Sequence, residues 1–305
     1  MTTRTTACPY GLVDLLVLGA LTLGSSFVAS TAASAQAWVP PARIGAVNFI
    51  YQNVDHTGHL LDDGSLLPGY ESVSRGLLVE VDYAFTDRFS ISAGVPYIGS
   101  KYIGPEPSFF GLEIDDCNCW NTGIQDLSLT ARYNVFNEAF ALTPSLSYGT
   151  PTNDYPYFGE AVIGRNLSEF RIALDAGYRI DMISPKFSVA GRYSYAFVEE
   201  VLDIPNDRSN ALVSLGYLFI RRFSASLDFY WQRSHGGLKS TEFVTDEEWA
   251  QFDRILKDNS FHIGGSVTYS FSRLDVFASY TEFVSGTDTH VGRAVTFGIG
   301  MPFQL

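Results

Sequence analysis

The chain has 305 residues, with 20 Lys and Arg against 33 Asp and Glu and a formal net charge of −13. That balance excludes a nucleic-acid partner, because phosphates are held by clustered Lys and Arg. Behind the N-terminal segment no run approaches the ~20 apolar residues of a membrane-crossing helix, which excludes a helical inner-membrane protein.

The first residues have the organisation of an export signal. Arg4 is the lone basic residue there, residues 15–28 are largely apolar, and Ala33-Ser34-Ala35 or Ala35-Gln36-Ala37 fits a cleavage site. A retained membrane helix is the competing reading. It is disfavoured because the run is short and ends in Ser, Thr and Ala rather than a charged stop. Residues 1–35 are expected to be a signal peptide, cleaved between 35 and 38 and carrying Cys8 away with it. Residues 36–305 then form one domain, since no Pro- or Ser-rich linker divides them.

Short segments that alternate apolar and polar residues follow to the end of the chain. The clearest is Leu127-Ser128-Leu129-Thr130-Ala131-Arg132-Tyr133-Asn134-Val135, apolar at every odd position and polar at every even one. A strand points successive side chains to opposite faces, so one face of this segment is apolar and the other wet. The predicted strands are 43–53, 75–85, 89–102, 124–136, 140–149, 167–181, 186–198, 210–220, 223–233, 260–271, 274–283 and 293–303. The connections after Phe85, Phe136, Asp181, Ile220 and Phe271 are short and the intervening ones mostly longer. A barrel with both termini in the periplasm needs an even strand count, short turns on that side and longer loops outside. That parity makes residues 153–166 an outer loop.

The expected fold is all-β: a single antiparallel up-and-down transmembrane β-barrel of about 12 strands. An export signal ahead of such a repeat points to the outer membrane of a Gram-negative bacterium. One predicted outer face reads Phe170, Ile172, Leu174, Ala176, Tyr178 and Ile180, and another Phe297, Ile299, Met301 and Phe303. The aromatic share of 14% gathers near strand ends, as girdles at the membrane interfaces do. The expected partners of this face are membrane lipid and lipopolysaccharide. The chain ends Pro302-Phe303-Gln304-Leu305, so the aromatic that outer-membrane assembly machinery recognises stands two residues before the terminus.

The inward positions are small or polar, and charges of both signs sit among them: Glu80, Asp82, Asp126, Arg132, Arg171, Asp175, Arg179, Asp181, Arg192, Asp228 and Asp275. Arg171, Asp175 and Arg179 recur every four residues on one predicted strand and share its inner face. Opposed charges can line a constriction that selects solutes. They can equally pair across a filled interior and hold the wall. A twelve-stranded barrel is intermediate between side-chain-filled and open-channel widths.

Three loop features stand out. Thr245-Asp246-Glu247-Glu248 is a capping box, and Trp249, Phe252, Ile255 and Leu256 follow on one face, so a helix is expected there, either over the barrel mouth or on neighbouring loops. Cys117 and Cys119 share a loop with Asp115 and Asp116; in an exported chain a disulfide is favoured over a metal site, which lacks further soft ligands. His56 and His59 are read as members of a solvated first loop with Asp55, Asp62 and Asp63, a weak divalent-ion candidate.

No catalytic set emerges. His235 and Ser234 are neighbours on a strand and face opposite ways, His262 and Ser266 are too far apart for direct contact, and no G-x-S-x-G or H-E-x-x-H is present. No catalytic residue, metal or cofactor is assigned.

The segment Gly123-Ile124-Gln125-Asp126-Leu127-Ser128-Leu129-Thr130-Ala131-Arg132-Tyr133 resembles the G-x-x-D-L-x-L-x-x-[KR]-Y segment of the outer-membrane proteins associated with the meta-pathway of phenol degradation. Ser92-Ala93-Gly94-Val95-Pro96-Tyr97 and Ser147-Tyr148-Gly149-Thr150-Pro151 resemble two more of that family's segments. The resemblance covers about the central third of the chain. It implies a barrel of this size that takes up small, hydrophobic or aromatic molecules. The expected function is a passive outer-membrane channel, with two alternatives: a filled structural or surface-interaction barrel, and a membrane-embedded hydrolase.

Overall fold

The structure, a computed structural model, describes residues 37–67, 71–103, 108–109, 112–113, 119–159, 161–180 and 186–305. The expected signal peptide, its cleavage site, Cys117 and Asp181 lie outside the described residues.

Twelve strands close into one antiparallel barrel. They are β1 (Ile44–Leu60), β2 (Ser72–Ala84), β3 (Phe89–Tyr102), β4 (Asp126–Tyr133), β5 (Phe140–Pro151), β6 (Glu169–Arg179), β7 (Phe187–Val198), β8 (Asn206–Ile220), β9 (Phe223–Gly236), β10 (Asn259–Ser270), β11 (Asp275–Thr287) and β12 (Thr289–Gln304). Each pairs with its sequence neighbours, and β12 returns to β1 from Gln304 opposite Ile44 to Thr289 opposite Leu60. Closure gives every strand two partners, which the absence of water in hydrocarbon requires of a spanning sheet.

Every predicted strand is present, but three details differ. The strand predicted at 124–136 is interrupted at Gln125, and its upper piece, Asn121–Ile124, pairs separately with β3. Strands β1, β8, β11 and β12 extend further at the outer end than predicted, because their alternation continues through polar residues that no lipid selects against. The last outer connection is therefore a tight turn at Asp288, whose φ of 51° is left-handed.

The outer surface is a continuous apolar belt. Leu174, midway along β6, is 45% exposed, and Phe297, Leu129, Leu146, Val213 and Leu227 are exposed beside it on their own strands. Aromatic clusters ring the periplasmic end: Tyr83 meets Phe85 at 4.8 Å, Tyr217 meets Phe219 at 4.9 Å and Tyr269 meets Phe271 at 4.7 Å. Outward charges gather at the opposite rim, where Arg293 stands 3.4 Å from Asp55 and Arg75 lies over Trp120.

Two segments enter the barrel. At the periplasmic end, residues 37–41 turn into the mouth. The Ala37 carbonyl accepts hydrogen bonds from Asn134 Nδ2 (3.0 Å) and Thr143 Oγ1 (2.6 Å), and Trp38 Nε1 donates to the Glu138 carbonyl at 2.8 Å. Trp38 fits because Gly177 lies beneath it; a Cβ there would come 2.5 Å from the ring. At the outer end the β5–β6 loop folds inward.

Leu174→Arg is expected to lower folding stability in lipid vesicles by about 2–4 kcal/mol, since the charge meets hydrocarbon near mid-strand. Denaturant titration of the refolded barrel measures it.

Candidate functional site

The lumen holds a cavity of about 1270 Å³. Its lower half is governed by charges brought together by strand register. Asp175 on β6 lies opposite Arg192 on β7, and Arg192 Nη2 donates to Asp175 Oδ2 at 2.9 Å. On the other side, Asn48 Nδ2 donates to Glu80 Oε1 at 3.2 Å and Asp82 Oδ2 at 2.8 Å. Arg132 lies between these groups and feels all four of Asp175, Arg192, Asp82 and Glu80. One stretch of wall is instead apolar: Ile50, Leu78 and Phe277 pack together. Gly298 makes room for the Phe277 ring, which any side chain at 298 would strike.

Residues predicted to line the lumen separate into three groups. Glu80, Asp82, Asp126, Arg132, Arg171, Arg192 and Asp275 border the cavity. Asp175 and Asp228 are inward but sealed; Asp228 accepts hydrogen bonds from Ser214 (2.5 Å) and Ser226 (2.9 Å). Arg179 is at the periplasmic rim, where it donates to the Glu138 carbonyl at 2.7 Å and covers the Trp38 ring.

The upper lumen is occupied by Tyr155, Phe158 and residues 161–167, most of a stretch that strand parity assigned to an outer loop, while Thr152, Asn153, Asp154 and Pro156 remain exposed. Tyr155 OH donates to Asp126 Oδ1 at 2.5 Å and accepts from the Asn166 amide at 3.0 Å. Ile163 and Tyr155 are buried against Val54, Ile98 and Ala294 of the wall. Asn121 Nδ2 reaches the Ala161 carbonyl at 3.2 Å. The signal for this insertion was the run Ala161-Val162-Ile163, apolar residues that an exposed loop has no reason to carry.

The inserted loop brings Arg165 to a group of guanidiniums that no sequence spacing connects. Arg171 on β6 and Arg208 on β8 both lie opposite Ala196 of β7, whose small side chain leaves space between them. Glu169 accepts hydrogen bonds from both. Arg208 is 5% exposed, and its Nε and Nη1 have no hydrogen-bond partner. Arg165 borders the cavity and makes no hydrogen bond or ion pair among the described residues. Removal from bulk water and the neighbouring Arg208 pull its pKa down to about 10, which leaves it charged at neutral pH.

The β9–β10 connection caps this region. The capping box forms as expected: Thr245 Oγ1 accepts from the Glu248 amide at 3.1 Å, and Glu248 Oε2 accepts from the Thr245 amide at 2.9 Å. The expected single helix is divided into α1 (Asp246–Trp249) and α2 (Phe252–Ile255). Across the break Trp249 and Phe252 stack on each other and meet Phe243 at a tilt, and Ile255 and Leu256 are buried in the same cluster. Arg254 ties the cap to the inserted loop, donating to the Asn166 carbonyl at 3.1 Å with its guanidinium 4.3 Å from the Tyr157 ring centre.

His56 and His59 are not in a solvated loop. Both lie on β1 and both are buried. A three-residue spacing should set them on opposite faces, but a bulge between His56 and Gly58 restores the inward direction, and both rings meet His290 at about 5 Å. Among the described residues no group of three or more His, Cys, Asp and Glu is placed to hold a metal ion. Cys119 is disulfide-bonded, and its partner lies outside the described residues. His235 pairs not with its neighbour Ser234 but with Ser209 on β8, whose Oγ is 2.7 Å from His235 Nε2. Ser209 is 1% exposed and its oxygen also contacts Tyr193 OH at 2.8 Å, so the pair fastens β7, β8 and β9 rather than presenting a nucleophile.

Removing the Tyr155 hydroxyl leaves Asp126 without its donor in the lumen, at a cost of about 1–3 kcal/mol. Tyr155→Phe is therefore expected to loosen the inserted loop and raise single-channel conductance in planar bilayers while barrel content by circular dichroism is unchanged.

Comparison with known proteins bears on this site. The family model described as "Putative MetA-pathway of phenol degradation" matches residues 118–299. Among solved structures, an outer membrane channel from Pseudomonas putida F1 superposes with a TM-score of 0.69 at 12% identity, covering 87% of this chain and 97% of the other. The translocator domain of the autotransporter NalP from Neisseria meningitidis gives 0.52 at 12% identity, covering 89% and 92%. The NanC porin gives 0.50 at 7% identity, covering 84% and 98%. At these identities the likeness is one of fold. No curated protein matches the sequence.

Proposed function

We propose that this chain, which belongs to the phenol-degradation family whose model spans more than half of it, is a passive outer-membrane channel for small molecules with hydrophobic or aromatic bodies. The observation that carries the reading is the cavity of about 1270 Å³ inside a closed barrel with an apolar outer belt. Its wall combines Leu78, Trp249, Phe252 and Leu256 with paired charges, so a solute with an apolar body finds contact surface without a fully dry path. The likeness in fold to an outer membrane channel of Pseudomonas putida supports the same reading. On this reading the apolar belt meets lipid, the outer rim meets lipopolysaccharide, and the C-terminal strand is handed over by the assembly machinery. The Cys119 bridge, with Cys117 as its partner, stiffens an outer loop.

One observation favours the filled structural barrel: residues 37–41 narrow one mouth, and the inserted loop with its cap narrows the other. Ion current in planar bilayers separates the two readings. A channel gives discrete steps, and replacing residues 154–164 with a short Gly-Ser linker is expected to enlarge them severalfold. Wild type and the loop-replaced barrel both remaining silent would sink the channel.

A further inference from the structure

We propose that Arg165 and Arg208, with Arg171 beside them, form a recognition site in the lumen for one carboxylate group on an otherwise apolar small solute. The inference rests on the channel reading and adds the chemical class of its solute.

Three observations carry it. Arg165 is delivered to the cavity by the inserted loop and has neither hydrogen bond nor ion pair among the described residues. Arg208 is buried, and two of its guanidinium nitrogens are without partners although a third is bound to Glu169. Both border the same cavity, and Arg208 is near enough to lower the pKa of Arg165. Glu169 compensates part of this positive charge, but buried guanidinium donors left unused are unfavourable until an acceptor joins them. The fold holds them there regardless. Asn166 is fixed by Tyr155 and Arg254, and Arg208 by Glu169, so neither backbone segment is free to withdraw.

The guest's charge and shape follow from the surroundings. A guanidinium presents two parallel N–H donors, which fit the two oxygens of a carboxylate. Glu169, Asp253 and Asp258 line the same cavity and act on Arg165, and their field disfavours a second negative charge on the guest. The cavity these arginines border also has apolar lining: Val162 and Leu167 on the inserted loop, Val198 at the wall, Phe252 and Leu256 on the cap. A monoanion with an aromatic or aliphatic body matches all three features.

Benzoate and its neutral analogue benzyl alcohol test this by calorimetry on the whole protein in detergent micelles. Benzoate is expected to bind wild type. Arg165→Gln is expected to weaken benzoate at least about tenfold and benzyl alcohol less than about twofold, as loss of a charge-assisted, two-pronged contact would. Arg165→Lys keeps the charge without the fork and is expected to fall between them. It serves as the decisive variant if Arg165→Gln does not give the heat-modifiable folded band on gels. Equal benzoate affinity in wild type and the variants, equal weakening of both ligands, or no benzoate binding to wild type overturns the site. The binding measurement is independent of current. Arg165-dependent binding in a barrel that passes no current would sink the channel and leave the site, whereas current without benzoate binding would sink the site alone.

Discussion

The pairing of β12 with β1 is the interaction on which the molecule depends. An open sheet in hydrocarbon leaves two rows of N–H and C=O groups without partners, each costing several kcal/mol. Here the register from Gln304 opposite Ile44 up to Thr289 opposite Leu60 removes both edges at once. Closure also forces the sorting of side chains. With no free edge to twist around, every strand must keep one face to lipid and one to the lumen, so the apolar belt and the charged interior are two results of one constraint.

That constraint leaves an interior with more room than its small wall residues can fill. Ser92, Ser147, Thr130, Ser194 and Ser260 line the cavity that remains. The chain fills part of the space with itself. Trp38 enters from below over Gly177, and Ile163 and Tyr155 enter from above against Val54 and Ile98. Each insertion is held by hydrogen bonds to wall residues rather than by apolar contact alone, which suits segments that bound a cavity instead of sealing it. The charges then divide by partner. Asp175 with Arg192 and Asp228 with its two serines are satisfied within the wall, whereas Arg165 and Arg208 retain free donors where the cavity remains.

Much of this was legible in the residue order, for identifiable reasons. The strand at Leu127–Tyr133 shows its two faces because lipid tolerates no polar side chain at Leu127, Leu129 or Ala131 while the lumen accepts Ser128, Thr130 and Arg132. The capping box at Thr245 was visible because its contacts span three residues. The inward direction of Arg171 and Asp175 followed from alternation alone. The direction of His59 did not, because a bulge adds one residue to the count and leaves no mark in composition. The division of α1 from α2 was hidden too: the apolar face from Trp249 to Leu256 was real, but packing it around Phe243 with Ile255 buried goes with a bend.

The sequence by itself determined the closed, membrane-facing barrel, because a two-residue period repeated along the chain is a local property that each strand carries independently of the others. Tertiary structure alone decided what the barrel contains. Whether the β5–β6 loop lies outside or folds in depends on Tyr155 finding Asp126 and Ile163 finding Ile98 across gaps of 29 and 65 residues. Arg165, Arg171 and Arg208 became neighbours only when that loop and three strands were set side by side. A period fixes which way a side chain faces; it carries no information about which other inward side chain it will meet, and in a lumen that meeting is the chemistry.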